Sequence, residues 1–169
     1  MRKRREARER AIQFLFQSDL NPPEDLEKAL ETFWQNTRLN QFLENHGPTW
    51  GEKVDLPEAT EEETATRLFA DELIRGVLQN RESLDDQIVR QARNWDLHRM
   101  AAVDRNIMRL AIYEMLHRND IPPVVSINEA VDIAKKFSTA DSGKFVNGIL
   151  DKIKDGILRP ARTPRDDGA

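Results

Sequence analysis

The sequence has no cysteine, which excludes a disulfide framework, a thiolate metal site and a cysteine nucleophile together. Its histidines, His46, His98 and His117, stand far apart, and none sits at i, i+4 with another ligand-type residue in a zinc-helix pattern. They read as surface or packed side chains rather than a metal or acid–base cluster. No apolar run approaches the roughly 18 residues that suggest a membrane span, and the basic opening is followed by no signal-type apolar core. A soluble, cytoplasmic protein is expected. Nucleophile-elbow, dinucleotide and kinase motifs are also missing. The run from Ser138 to Lys144 stops short of a phosphate loop. Its first glycine would fall at Ser138, Phe145 follows the lysine, and no strand precedes it. Acid pairs such as Asp85 and Asp86 fit a solvated helix face better than a general acid and base. Neither an enzyme nor a cofactor or metal site is expected.

What is present is charge and helical periodicity. Charged residues make up 33% of the 169-residue chain and apolar ones 38%, a balance that favours a folded helical domain with a highly charged surface. Apolar residues at steps of three and four predict a first helix over 4–20, closed by Pro22 and Pro23. A second is predicted over about 24–36 with Leu26, Leu30, Phe33 and Trp34 inward. Residues 37–60, with Gly47, Pro48, Gly51 and Pro57, read as a partly irregular acidic insertion. It holds a short helix near Leu39 to Glu44, with Trp50 as a candidate anchor. Helices over 61–80 and from Leu84 follow, broken near Glu82 or Ser83. The stretch 98–118 is apolar nearly all round and predicts the central buried helix. Ser126 and Glu129 have capping-box spacing before a helix over 127–137. Asp141 or Ser142 is the expected cap of the last helix. Residues 159–169 read as a disordered polar tail. The expected class is all-α, with about seven helices over 1–158.

The net charge of −4 conceals an asymmetry. Six basic side chains open the chain (Arg2, Lys3, Arg4, Arg5, Arg8, Arg10), whereas 52–72 is strongly acidic. A basic arm on an acidic body fits a localised polyanion site, or equally a plain solvated face. RNA recognition needs cations for phosphates and flat or hydrogen-bonding groups for unstacked bases. At about 100° per residue, Arg5, Ile12 and Phe16 fall on one stripe with Arg8 on its flank; core packing of Phe16 explains the same spacing.

The C-terminal third adds motifs. These are Val125-Ser126-Ile127-Asn128-Glu129-Ala130-Val131-Asp132-Ile133-Ala134-Lys135-Lys136-Phe137, then Asp141-Ser142, then Lys144-Phe145-Val146-Asn147-Gly148-Ile149-Leu150-Asp151. With the earlier Arg109-Leu110-Ala111-Ile112-Tyr113-Glu114-Met115-Leu116 and the arginine-rich opening ending in Ala11-Ile12-Gln13, this pattern resembles the NusB family of transcription antitermination factors. The resemblance implies two packed helical bundles and no catalysis. It also implies binding of boxA-type single-stranded RNA from ribosomal RNA leaders, jointly with the NusE ribosomal protein, in the RNA polymerase antitermination complex. By position, the implied RNA contacts are Arg4, Arg5, Arg8, Phe16, Asp104, Arg105, Arg109, Phe137, Asp141, Lys144 and Phe145. Carboxylates within a basic site favour discrimination over affinity, since they accept from base amino groups and repel phosphates. Pairing of two copies through the arginine-rich face is a further implication. The sequence departs from the family pattern in its longer, more acidic 37–60 segment and in Ser138, where the family often has glycine. The alternatives are a helical module that binds only protein and, within the fold, the NusB-like domain of ribosomal RNA methyltransferases. No glycine-rich cofactor segment for the latter is present.

Overall fold

A computed structural model describes residues 2–157 apart from positions 49, 52 and 94; the tail expected over 159–169 lies outside the described residues. Among them are seven α-helices and no strand: α1 (Arg2–Leu20), α2 (Leu26–His46), α3 (Glu61–Gln79), α4 (Arg81–Gln91), α5 (Ala102–His117), α6 (Pro123–Phe137) and α7 (Ala140–Asp155), with a 3₁₀ turn at Leu97–Arg99 before α5. Helices α1, α3, α4, α6 and α7 all pack on α5, α1 also packs on α3, and α6 on α7. Helix α5 is thus the central element, in which Ile107, Met108, Ala111, Ile112 and Met115 are fully buried. Gly76 of α3 crosses α5 so closely that a Cβ there would come within 2.0 Å of the Tyr113 ring; the sequence needs glycine at that crossing.

Several helix ends differ from the sequence expectation. Helix α2 does not stop at Asn36 but continues to His46, where Gly47 at φ 79° ends it. Thr37 donates its hydroxyl to the Phe33 carbonyl at 2.8 Å, so the polar Asn36-Thr37 pair is accommodated within the helix rather than breaking it. Ion pairs Arg67–Glu31 and Arg75–Glu27 and the Trp34–Asp71 hydrogen bond fasten α2 to α3. Arg38 reaches Glu63 and the Pro57 carbonyl. Trp50 anchors nothing, being 91% exposed. The expected central helix is split because Asp96 caps the 3₁₀ turn through the His98 amide, and Arg105 donates to the Leu97 and Met100 carbonyls.

Ser126 is not a cap. Pro123 occupies the first turn of α6, where its missing N–H and fixed φ suit a helix start. Ser126 thus becomes a buried interior residue whose hydroxyl donates to Glu114 Oε1 at 3.4 Å. For α7 the cap is Thr139, which accepts the Ser142 amide at 3.0 Å. Asp141 instead sits in the first turn, where the helix dipole favours its negative charge.

Candidate nucleic-acid interface

The arginine-rich end of α1 lies against α6, and most of its charge is already paired. Arg5 donates to both Glu129 oxygens at 2.7 and 3.0 Å and to Asp132 at 2.8 Å. Arg8 is only 3% exposed. Its Nη2 donates to Glu114 Oε1 at 2.6 Å and its Nε to both carboxylate oxygens. Arg4 is exposed and lies over the Phe69 ring at 4.9 Å, a ring also faced by Arg8 and Arg118. Among the described side chains Lys3 and Arg4 are the exposed cations of this face, Lys3 being paired with Glu62 at 3.4 Å, and Arg5 is half-exposed.

The central-helix cations are clamped too. Asp19 near the end of α1 accepts from Arg105 at 2.9 Å, Arg109 at 3.2 Å and Arg81 at 2.7 Å. Arg109 also chelates Asp85 at 2.6 and 3.0 Å. Burial pushes the Asp19 carboxyl up, but the Arg105 hydrogen bond and the charges of Arg109, Arg105 and Arg81 outweigh it and hold it below the ordinary range. Arg109 is 3% exposed. This cluster joins α1, α4 and α5.

Lys136 pairs with Glu9 at 3.1 Å and faces the Phe137 ring at 5.3 Å, and Phe137 is 42% exposed. Glu9 and Phe16 are seven residues apart, hence on one face of α1. Phe16 itself is half-buried on α1.

Where the start of α5 meets the start of α7, the remaining residues converge. Asp104, in the first turn of α5, accepts the Ser142 hydroxyl at 3.0 Å on Oδ2, while its buried Oδ1 has no hydrogen-bond partner among the described residues. Burial raises its pKa, against the hydrogen bonds of Ser142 and Ser138. Asp104, Asp141 and Phe145 line one cleft of about 230 Å³ with Trp95, Arg99, Thr139 and Ser142. Lys144 and Phe145 line a neighbouring one of about 380 Å³ with Arg93, Trp95 and Lys152. Trp95 and Phe145 meet edge to face, their ring centroids 6.0 Å apart. Arg93, Arg99, Lys144 and Lys152 are exposed, and their side chains carry no ion pair or hydrogen bond among the described residues. A larger groove of about 800 Å³ between α1 and α2 is lined by amides and hydroxyls together with Arg10, Lys28, Glu44, Phe14 and Phe33, and touches none of the expected contacts.

Sequence reasoning missed Arg93, Trp95, Arg99 and Lys152. They fall in the α4–α5 connection and late in α7, where periodicity carries no signal for a shared surface. A tryptophan next to arginines in a segment without helical register was the available clue.

Comparisons with known proteins agree with this architecture. The family model described as NusB family matches residues 5–155. The chain is 42% identical over 153 residues to the transcription antitermination protein NusB of Geotalea uraniireducens, covering 90% of this chain and 94% of that protein. A solved structure of NusB from T. maritima superposes with a TM-score of 0.66 at 38% identity, covering 90% of each chain. A crystal structure of antitermination factors NusB and NusE in complex with double-stranded RNA shares the fold, with a TM-score of 0.66 at 24% identity over 93% of this chain and 99% of that one.

Proposed function

This chain belongs to the NusB family, and from that premise we propose that it is an RNA-binding antitermination factor of the RNA polymerase elongation complex. It binds boxA-type leader RNA jointly with the NusE ribosomal protein. The observation that carries the RNA assignment is the set of exposed cations Arg93, Arg99, Lys144 and Lys152, without side-chain partners among the described residues, grouped around the Trp95–Phe145 pair. Unpaired cations release counterions when phosphates arrive, and partly exposed rings offer stacking surface to bases that are not already stacked. The related complex was solved with double-stranded RNA; in this chain the aromatic cleft and its carboxylates favour a single strand, whose bases are free to enter.

Of the contacts implied by resemblance, Arg4, Phe137, Asp141, Lys144 and Phe145 have exposed or half-exposed side chains suited to touching RNA directly. Arg8, Arg105 and Arg109 act by holding α1, α4 and α5 in register. Binding, with no catalytic step, is the proposed activity, and the cytoplasm its proposed site. No helix among the described residues is long and apolar enough to cross a membrane.

Fluorescence anisotropy of a labelled boxA-type RNA, with and without NusE protein, at two salt concentrations and against a scrambled RNA, tests the proposal. Sequence-dependent, partner-enhanced binding with a steep salt slope is expected. Weak binding, equal for both RNAs and indifferent to the partner, would leave a protein-only helical module.

A further inference from the structure

The 800 Å³ groove between α1 and α2 lies apart from the RNA contacts above, and its two walls are alike. The α1 wall presents Gln13, Gln17 and Asn21, and the α2 wall presents Thr32, Asn36 and Asn40. Each row steps by four residues, so each follows one helix face with its side chains about 6 Å apart. Phe14 and Phe33, both buried, form the floor, their rings meeting edge to face at 5.5 Å. Helix α1 packs closely on α3 and α5, whereas α2 stands off from it and is held by ion pairs to α3. The continuation of α2 past Asn36 supplies Asn40 and Glu44, so the outer part of the groove is built by the segment that departs from the family pattern.

In a chain of which 33% is charged, these six wall positions carry no charge. Gln13 accepts from Arg10 at 3.2 Å; the side chains of the other five have no hydrogen-bond partner among the described residues. Charge is confined to the ends. Lys28 stands exposed where α1 turns into α2, its side chain unpaired among the described residues, while Arg10 and Glu44 offset each other at the open end. A polar but uncharged centre within a charged rim is the layout of a protein interface, because covering an amide costs far less than covering an ion. Single-stranded RNA needs cations along its whole length to meet its phosphates, and this groove has them only at its ends.

We propose that this groove holds an extended peptide of a partner protein, gripped through its backbone by the two polar rows and carrying an acidic side chain beside Lys28. In an extended chain the N–H and C=O of one residue point to the same edge, and those of the next residue to the opposite edge. Along either edge the pattern therefore repeats every two residues, about 6.6 Å, close to the 6 Å step of each row. A carboxamide offers both a donor and an acceptor, so one Asn or Gln answers both backbone groups of one residue. From Lys28 to Glu44 the groove runs about 24 Å, which accommodates about seven extended residues. Backbone hydrogen bonds supply the affinity of such docking, and the carboxylate at Lys28 fixes its direction.

The test selects heptapeptides from a random displayed library on the full chain and uses the recovered sequence, synthesised with a fluorophore, as the probe. Anisotropy titrations compare the full chain with the double variant Asn36→Ala, Asn40→Ala and with Lys28→Glu. All three positions are exposed, so melting temperatures should not fall. The double variant should weaken the probe about tenfold, the effect of losing two hydrogen bonds. It should also abolish the effect of N-methylating every second peptide residue, those facing α2, while the intervening residues stay sensitive. Lys28→Glu should exchange the preference for an acidic end residue for a basic one, and boxA-type RNA should bind alongside the probe. Recovery of no peptide, or a probe affinity indifferent to the double variant, overturns the peptide site. Displacement of the probe by boxA-type RNA assigns the groove to nucleic acid, and displacement by a synthetic peptide of residues 158–169 assigns it to the chain itself; either result overturns the partner assignment.

Discussion

The arginine-rich face of α1 and the cleft at the start of α7 divide one kind of chemistry between them. Seen along the chain, the α1 face is the richer in positive charge, yet Arg5 and Arg8 are there bound to Glu129, Asp132 and Glu114. The cleft has fewer cations, but Arg93, Arg99, Lys144 and Lys152 have no side-chain partner among the described residues. Counterion release depends on cations that are free to meet phosphate, so the lower formal charge makes the more available anion site. A buried guanidinium acts as a structural strut instead, because separating it from its carboxylate strands a charge in a poorly solvated interior.

Arg8→Ala breaks that contrast most forcefully. It leaves Glu114, whose side chain is 1% exposed, facing the vacated position, and removal of one partner of a buried pair costs about 3–5 kcal/mol. A fall in melting temperature on the order of 10 °C is expected. Circular dichroism melts measure it, and an unchanged melt accompanied by weaker RNA binding would make Arg8 a direct contact after all. Gly76→Ala comes next, since its methyl group must displace the Tyr113 ring. About 1–3 kcal/mol of destabilisation is expected, on the scale of overpacking a filled site, checked by urea denaturation with RNA affinity compared under native conditions.

Lys144→Ala and Arg5→Ala sharpen the comparison at smaller cost. Losing one single-strand phosphate contact should reduce the salt slope of RNA binding by about 0.7. Lys144→Ala should show that reduction with an unchanged melt, whereas Arg5→Ala should change the slope less, because the cation it removes is already neutralised. Equal slopes for the two variants would restore the α1 face to parity.

The carboxylates give the smallest and most pH-dependent effect. Asp19 has its pKa lowered in the fold, so its stabilising contribution is present above the unfolded value of roughly 3.9 and is lost as pH falls through the folded value. Asp104 has the opposite sign. Its pKa is raised by burial, so its contribution favours the fold at low pH and is lost as pH rises through the raised value. Asp19→Asn should therefore lower the melting temperature at neutral pH, and Asp104→Asn should leave it equal or higher, with both differences narrowing toward acid. Melts from pH 3 to 7 read out both signs.

Helix positions were legible where apolar periodicity was strong. The buried face of α5 and the inward residues of α7 follow from spacing alone, because a helix packed on several sides needs apolar residues nearly all round. Helix ends were less legible. Ser126 and Glu129 match a capping box, but Pro123 starts the helix one turn earlier, and Asp141 yields the cap to Thr139. Local spacing permits more than one start; the packing of α6 and α7 around α5 selects among them. At the site, the resemblance identified Asp104, Asp141, Lys144 and Phe145, which do converge. Trp95 and Arg99 went unseen, because their partners lie more than forty residues away in α7.

By itself the sequence determined the helical class, the family and the kinds of side chain available for RNA, since periodicity and motif order are properties of the chain. Which cations are free was decided only by the tertiary structure. Pairing depends on carboxylates brought from α4, α5 and α6, and a guanidinium has the same formal charge in sequence whether it ends in solvent or against Glu114.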